Sequence, residues 1–90
     1  MKNAQTTDPR GDFLQIQYSK QALKFLNKQD VPTKIRIISA INQLPSGDVK
    51  KLQGRNGYRL RIGAYRVIFD IDWNILYIEK IESRGQVYKK

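Results

Sequence analysis

Three arginines at close spacing, Arg59, Arg61 and Arg66, are the residues of this 90-residue chain best suited to chemistry. A guanidinium stays charged at neutral pH and holds two phosphate oxygens at once, so a group of three can clamp a phosphodiester and offset charge that builds on it. They act together only if they share a face. Arg59 and Arg61 precede Gly63-Ala64 and Arg66 follows it, within two runs rich in β-branched and aromatic residues, Tyr58-Arg59-Leu60-Arg61-Ile62 and Tyr65-Arg66-Val67-Ile68-Phe69. Glycine at the first central position suits a type II′ two-residue turn, so the stretch 57–70 is expected to form a β-hairpin. If Ile62 faces Tyr65, then Leu60 faces Val67 and Tyr58 faces Phe69, which makes one side apolar and puts the arginines on the other. Arg61 then lies directly across from Arg66. Such a like-charge pair weakens a sheet unless something anionic lies over it.

Composition points the same way. The chain has 17 Lys+Arg against 8 Asp+Glu, a net charge of +9, which favours a polyanionic partner, either nucleic acid or an acidic protein. Between Val49 and Phe69 lie Lys50, Lys51, Arg55, Arg59, Arg61 and Arg66 with no acidic residue among them, so the positive potential is concentrated. There is no cysteine and no histidine. That removes disulfides, thiolate chemistry and every common zinc ligand except carboxylates. The carboxylates Asp70, Asp72, Glu79 and Glu82 are scattered by strand alternation and turn position, so neither a metal site nor a cofactor is expected. No segment approaches the ~20 apolar residues of a membrane span, and the reading is a cytoplasmic protein with no membrane partner.

The elements that must position the arginines follow in order. Residues 1–12 are polar, carry the coil signal Asp8-Pro9-Arg10-Gly11, and are expected to form a flexible N-terminal tail. Residues 13–18 partly alternate, with Leu14, Ile16 and Tyr18 on one side of a first strand, and Ser19 is placed to cap a helix. Over 20–29 the residues Ala22, Leu23, Phe25 and Leu26 recur at helical spacing, with Lys20, Lys24 and Lys28 on the opposite, solvated face. Asp30-Val31-Pro32 breaks that helix and starts another over 31–44, whose apolar stripe is Ile35, Ile37, Ile38, Ile41 and Leu44. Residues 50–56 lead into the hairpin, Asp72-Trp73-Asn74 is a second turn with Trp73 as a lid on the core, and 75–81 is a central strand. The order β-α-α-β-β-β implies an α+β fold in one domain over 13–90, with a two-helix hairpin on one face of an antiparallel three-stranded meander. The other face stays open, and there the arginines point.

Several runs carry a family resemblance when taken together: Tyr18-Ser19-Lys20-Gln21-Ala22-Leu23-Lys24, Gly47-Asp48-Val49-Lys50-Lys51-Leu52, the hairpin itself, and Ser83-Arg84 with Val87-Tyr88. In this order and spacing the chain resembles the RelE/ParE superfamily of toxins from type II toxin-antitoxin systems, and within it the RelE branch. The resemblance implies an endoribonuclease (mRNA interferase) that cuts messenger RNA in the ribosomal A site, and a cognate antitoxin with an acidic segment that folds on binding. It also implies roles. Arg59, Arg61, Arg66, Arg84 and Tyr88 match the branch's catalytic positions, while Lys50, Lys51 and Arg55 would extend the RNA contact. Ser83 stands where many members carry histidine. Arginine keeps its proton and serves poorly as a base, so the Tyr88 phenol is the candidate to take the ribose 2′-OH proton, or its ring stacks on a splayed base; Arg84 would neutralise or protonate the leaving 5′-oxygen. The other readings are a ParE-like poison of DNA gyrase and a non-catalytic RNA-binding module. Replacing Tyr88 by phenylalanine is expected to slow cleavage in a ribosome-bound assay; an unchanged rate removes the phenol from the chemistry.

Overall fold

A computed structural model describes residues 5–7 and 13–83. The elements are β1 (Gln5–Thr7), β2 (Phe13–Tyr18), α1 (Lys20–Asn27), α2 (Val31–Asn42), β3 (Asp48–Lys51), β4 (Tyr58–Ile62), β5 (Tyr65–Asp72) and β6 (Ile75–Ser83). All six strands form one sheet in the order β1-β2-β6-β5-β4-β3. Only β2 and β6 run parallel; the other neighbours are antiparallel. The α+β architecture expected from the sequence is the one observed. Two strands were not anticipated. Gln5–Thr7 pairs with β2, which corrects the reading of 1–12 as a flexible tail at those three residues, and Asp48–Lys51 is an edge strand rather than a lead-in. Both are short pairings at the sheet's borders, where local sequence preference is weak and the neighbouring strand supplies the order.

Local signals explain the helices. Ser19 caps α1, its hydroxyl accepting from Ala22 N at 3.0 Å, and Asp30 caps α2 by accepting from Thr33 N at 3.1 Å; hydrogen bonding from the Thr33 side chain, and then from its backbone, holds the Asp30 carboxyl below the ordinary range. Ile37, Ile41 and Leu44 are buried as the stripe requires, but Ile35 is 57 % exposed, as are Val31 and Leu23 at 64 % and 48 %. Ile35 precedes Ile37 by two positions, about 200° round the helix, so it lies off the buried stripe and faces solvent. The core lies between the helices and one sheet face, and joins Ile16, Ala22, Leu26, Ile37 and Ile41 to Leu60, Val67, Phe69, Leu76, Ile78 and Ile81.

The hairpin register agrees with the sequence reading residue for residue, including Ile62 across from Tyr65 and Arg61 across from Arg66. Tyr58 and Phe69 stack with ring centres 5.5 Å apart. Gly63 has φ +57°, the conformation a type II′ turn demands. The β5–β6 turn is different: Trp73 occupies the corresponding position with φ +59° and is 87 % exposed, so it is no lid. A large side chain in the left-handed region costs about 1–2 kcal/mol. The two turns should therefore respond oppositely to mutation. Gly63→Val is expected to destabilise the protein by about 1–3 kcal/mol, since a β-branched side chain is strained at φ +57° and the flexible end of Arg36 must also move aside, whereas Trp73→Gly is expected to stabilise it by up to about 1 kcal/mol in denaturant titration.

Candidate nucleic-acid interface

The face opposite the helices is built by register. Residues directly across from one another point to the same side, so β3, β4, β5 and β6 line up two rows of open-face side chains. One row is Asp48, Arg61, Arg66 and Glu82. The next is Lys50, Arg59, Ile68 and Lys80. Each spans about 14 Å across four strands at the usual ~4.8 Å strand spacing. The second row holds three cations and no anion.

The upper part of β6 is held in place by the first helix and the residue before it. Among the described residues the edge of β6 beyond Ile78 has no strand partner on the β2 side. Ser19 Oγ donates to the Glu79 carbonyl at 2.7 Å, and the Gln21 amide both donates to Ile81 O and accepts from Ile81 N, each at 3.0 Å. A glutamine thus serves as one residue of a missing strand and satisfies groups that would otherwise be orphaned. A bulge between Ile68 and Phe69 shifts the β5–β6 register by one. Its consequence is that Glu82, not Ile81, lies across from Arg66.

Ion pairing divides the arginines. Arg66 Nε donates to Glu82 Oε2 at 2.7 Å, and its Nη2 bonds the same carboxylate, which also lies 3.6 Å from Lys80 Nζ. Arg55 leaves the β3–β4 loop and reaches Glu79 with Nη2 2.8 and 3.1 Å from its two oxygens. These side chains are between 29 % and 54 % exposed, so each pair contributes only about 0.2–1 kcal/mol. Among the described residues Arg59, Arg61, Lys50 and Lys51 have no carboxylate partner. Arg59 is distinctive because its Nε is buried and makes no hydrogen bond. It lies across from Ile68, which is only 9 % exposed although it belongs to the open face, as expected where long basic side chains lay their stems over an apolar neighbour.

The structure thus brings Arg59, Arg61 and Arg66 onto one face and adds Lys50 to them. Lys51 alternates to the other side, across from Tyr58, and lines an open cleft of about 440 Å³ with Asn56, Asp70 and Asp72. Arg55 is tethered rather than free. Arg84 and Tyr88 lie outside the described residues. Sequence reading missed Lys80, Glu79 and Glu82 as members of the site, because their register depends on the bulge. Their signal was the spacing Leu76, Ile78, Ile81, which departs from strict alternation by one residue. The Tyr18 phenol is pushed up by burial, which leaves it neutral and unsuited to act as a base at neutral pH. Among the described residues no cluster of carboxylates could hold a metal ion, and no helix is long and apolar enough to cross a membrane.

The described residues form a small α+β protein with helices on one face of its sheet and a cation-rich open face on the other. The sequence model of the family described as ParE toxin of type II toxin-antitoxin system, parDE, matches residues 16–88, and the chain belongs to that family. Comparison with curated proteins gives no match. Among solved structures it is similar to the archaeal RelE-RelB complex from Pyrococcus horikoshii OT3, at 29% identity and TM-score 0.65, covering 79% of this chain and 94% of that one. It is also similar in fold to the RelB-RelE antitoxin-toxin complex from Methanococcus jannaschii, at 23% identity and TM-score 0.64, covering 79% and 93%. The RelE/ParE resemblance of the sequence is confirmed at the level of the superfamily.

The orphaned Arg59 Nε generates a test. A buried charged donor without a partner costs stability, and an apolar isostere removes that cost. Arg59→Met is expected to raise unfolding free energy by about 1 kcal/mol while weakening binding of a single-stranded polynucleotide and flattening its log–log salt slope by about 0.7. Stability from chemical denaturation and affinity from fluorescence anisotropy would move in opposite directions.

Proposed function

We propose that this protein is an endoribonuclease toxin, an mRNA interferase that cuts messenger RNA on the ribosome in the cytoplasm and is held inactive by a cognate antitoxin. The observation that carries the reading is Arg59, with its unpartnered buried Nε, at the centre of a cation row beside Arg61 and Arg66. RNA supplies its own nucleophile in the ribose 2′-OH, so the protein must chiefly align that oxygen and stabilise charge on the phosphorane. Arg59 and Arg61 would hold the non-bridging oxygens of the scissile phosphate, with Arg66 beside them and Lys50 and Lys80 gripping flanking phosphates. Arg84 and Tyr88 keep the roles given by the resemblance, at the leaving oxygen and the 2′-OH.

The antitoxin reading rests on the two similar solved structures, both toxin-antitoxin complexes, and on a second surface. Leu23, Val31 and Ile35 are exposed on the helices, away from the arginines, and Lys20, Lys24 and Lys28 stand on the same element pair. An apolar and acidic segment that orders on contact would suit them. A second reading, a gyrase poison without nuclease activity, is favoured by the ParE family match.

A cell-free translation reaction separates them. Purified protein is expected to produce new transcript ends within codons by primer extension, only when ribosomes are present, and Arg59→Ala should reduce them at least tenfold. Intact transcripts together with trapped gyrase-DNA complexes would establish the second reading instead.

A further inference from the structure

The open face carries its own anions. Arg55 and Arg66, two of the cations that the sequence assigns to nucleic acid, are each bound to a carboxylate of β6, Glu79 and Glu82. Both carboxylates occupy the position a phosphate would take, each against a guanidinium that is partly exposed to solvent. We infer that Glu79 and Glu82 are internal competitors of the RNA backbone: they hold Arg55 and Arg66 in the free protein and release them to phosphates when a polynucleotide crosses the face. The inference rests on the proposed RNA reading and deepens it by naming residues that select what the face accepts.

Three observations carry it. Arg61 and Arg66 are directly opposed like charges, and the row that contains them reads Asp48, Arg61, Arg66, Glu82, so its net charge is neutral in the free protein. The adjacent row, Lys50, Arg59, Ile68 and Lys80, has no anion, which leaves it open to a first phosphate contact. Finally, the two ion pairs are accessible to solvent and hence weak, strong enough to order the side chains and weak enough to exchange. Glu82 is shared between Arg66 and Lys80, so a phosphate arriving at Lys80 brings a like charge against the carboxylate and repels it from Arg66.

The substrate consequence concerns charge density. A lone phosphate or a mononucleotide offers one anionic group against two resident carboxylates. A polynucleotide that has already engaged Lys50, Arg59 and Lys80 presents further phosphates at high effective concentration, and the exchange then becomes intramolecular. The carboxylates therefore favour an extended single strand over small phosphates, and they damp indiscriminate binding by a chain of net charge +9.

The test uses the purified full chain and a single-stranded 2′-O-methyl RNA oligonucleotide, which binds but has no free 2′-OH to react. Glu82→Gln and Glu79→Gln are each expected to tighten binding about twofold to fivefold, the worth of an exposed ion pair expressed as a ratio. The gain from Glu82→Gln should fall in an Arg66→Ala background and vanish when Lys80→Ala is added, and that from Glu79→Gln should vanish in an Arg55→Ala background. Gains that persist without the paired cations would reflect overall charge alone and overturn the inference. So would unchanged affinity in variants whose thermal unfolding matches the parent. If neither the parent nor any variant binds the oligonucleotide in a salt-dependent way, the RNA reading itself fails; if the parent binds and the cycles show no coupling, only the role of Glu79 and Glu82 fails.

Discussion

The site depends on one irregularity in the sheet, the bulge where β5 passes from Ile68 to Phe69. Counting back from the β5–β6 turn, Asp72 pairs with Ile75 and Phe69 with Ile78, and an unbroken ladder would set Ile81 across from Arg66. Ile81 would then point to solvent and Glu82 into the core. Burying an unpaired carboxylate costs far more than the local disruption of a bulge. With one extra residue on β6 absorbed at Glu79, Ile81 is fully buried, Glu82 faces Arg66, and Lys80 completes the cation row. The same residue turns its carbonyl to Ser19 and its carboxylate to Arg55. Core packing, helix attachment and the electrostatics of the open face thus meet at a single backbone feature.

That geometry changes the meaning of the net charge. A surplus of cations suggests a uniformly positive surface, yet the face divides into a row of zero net charge and a row of cations about 7 Å away, the separation of residues two positions along a strand. The like-charge pair Arg61 and Arg66 is tolerated because Glu82 takes up one guanidinium and Asp48 stands beside the other. Arg59 has no such relief. Its Nε is the position where the fold gives up stability, a pattern expected where a side chain is retained for what it binds.

How much of this was legible follows from the range of the interactions involved. The hairpin register, the Ser19 and Asp30 caps and the sharing of one face by Arg59, Arg61 and Arg66 come from local rules of turn chemistry and alternation, and they stand as read. Partners separated by a bulge could not be paired by counting, so Glu82 and Lys80 were invisible as members of the site even though Leu76-x-Ile78-x-x-Ile81 records the break. Edge strands β1 and β3 are too short to announce themselves. Ile35 and Trp73 misled in the same way: each was assigned to the core because it is apolar, a rule that holds better for what is inside than for what is left outside.

The division of the surface bears on which chemistry the fold supports, since a fold by itself hosts unrelated functions. A protein partner is gripped through a buried apolar or aromatic centre, with charge relegated to the rim. In the two rows that carry the arginines the open sheet face is the reverse: their apolar member, Ile68, is already covered and charged side chains surround it, while Tyr77 lies on the same face farther along β6, across from Asp70. The most exposed apolar residues lie away from those rows, with Leu23, Val31 and Ile35 on the helices and Trp73 at the distal turn. On the proposed reading a protein partner therefore has its own surface, and a polynucleotide has another. An antitoxin docked on the helices would then need only a short acidic extension to reach across β6 and take the same guanidinium groups that Glu79 and Glu82 hold, so that inhibition and substrate binding would compete for one set of positive charges.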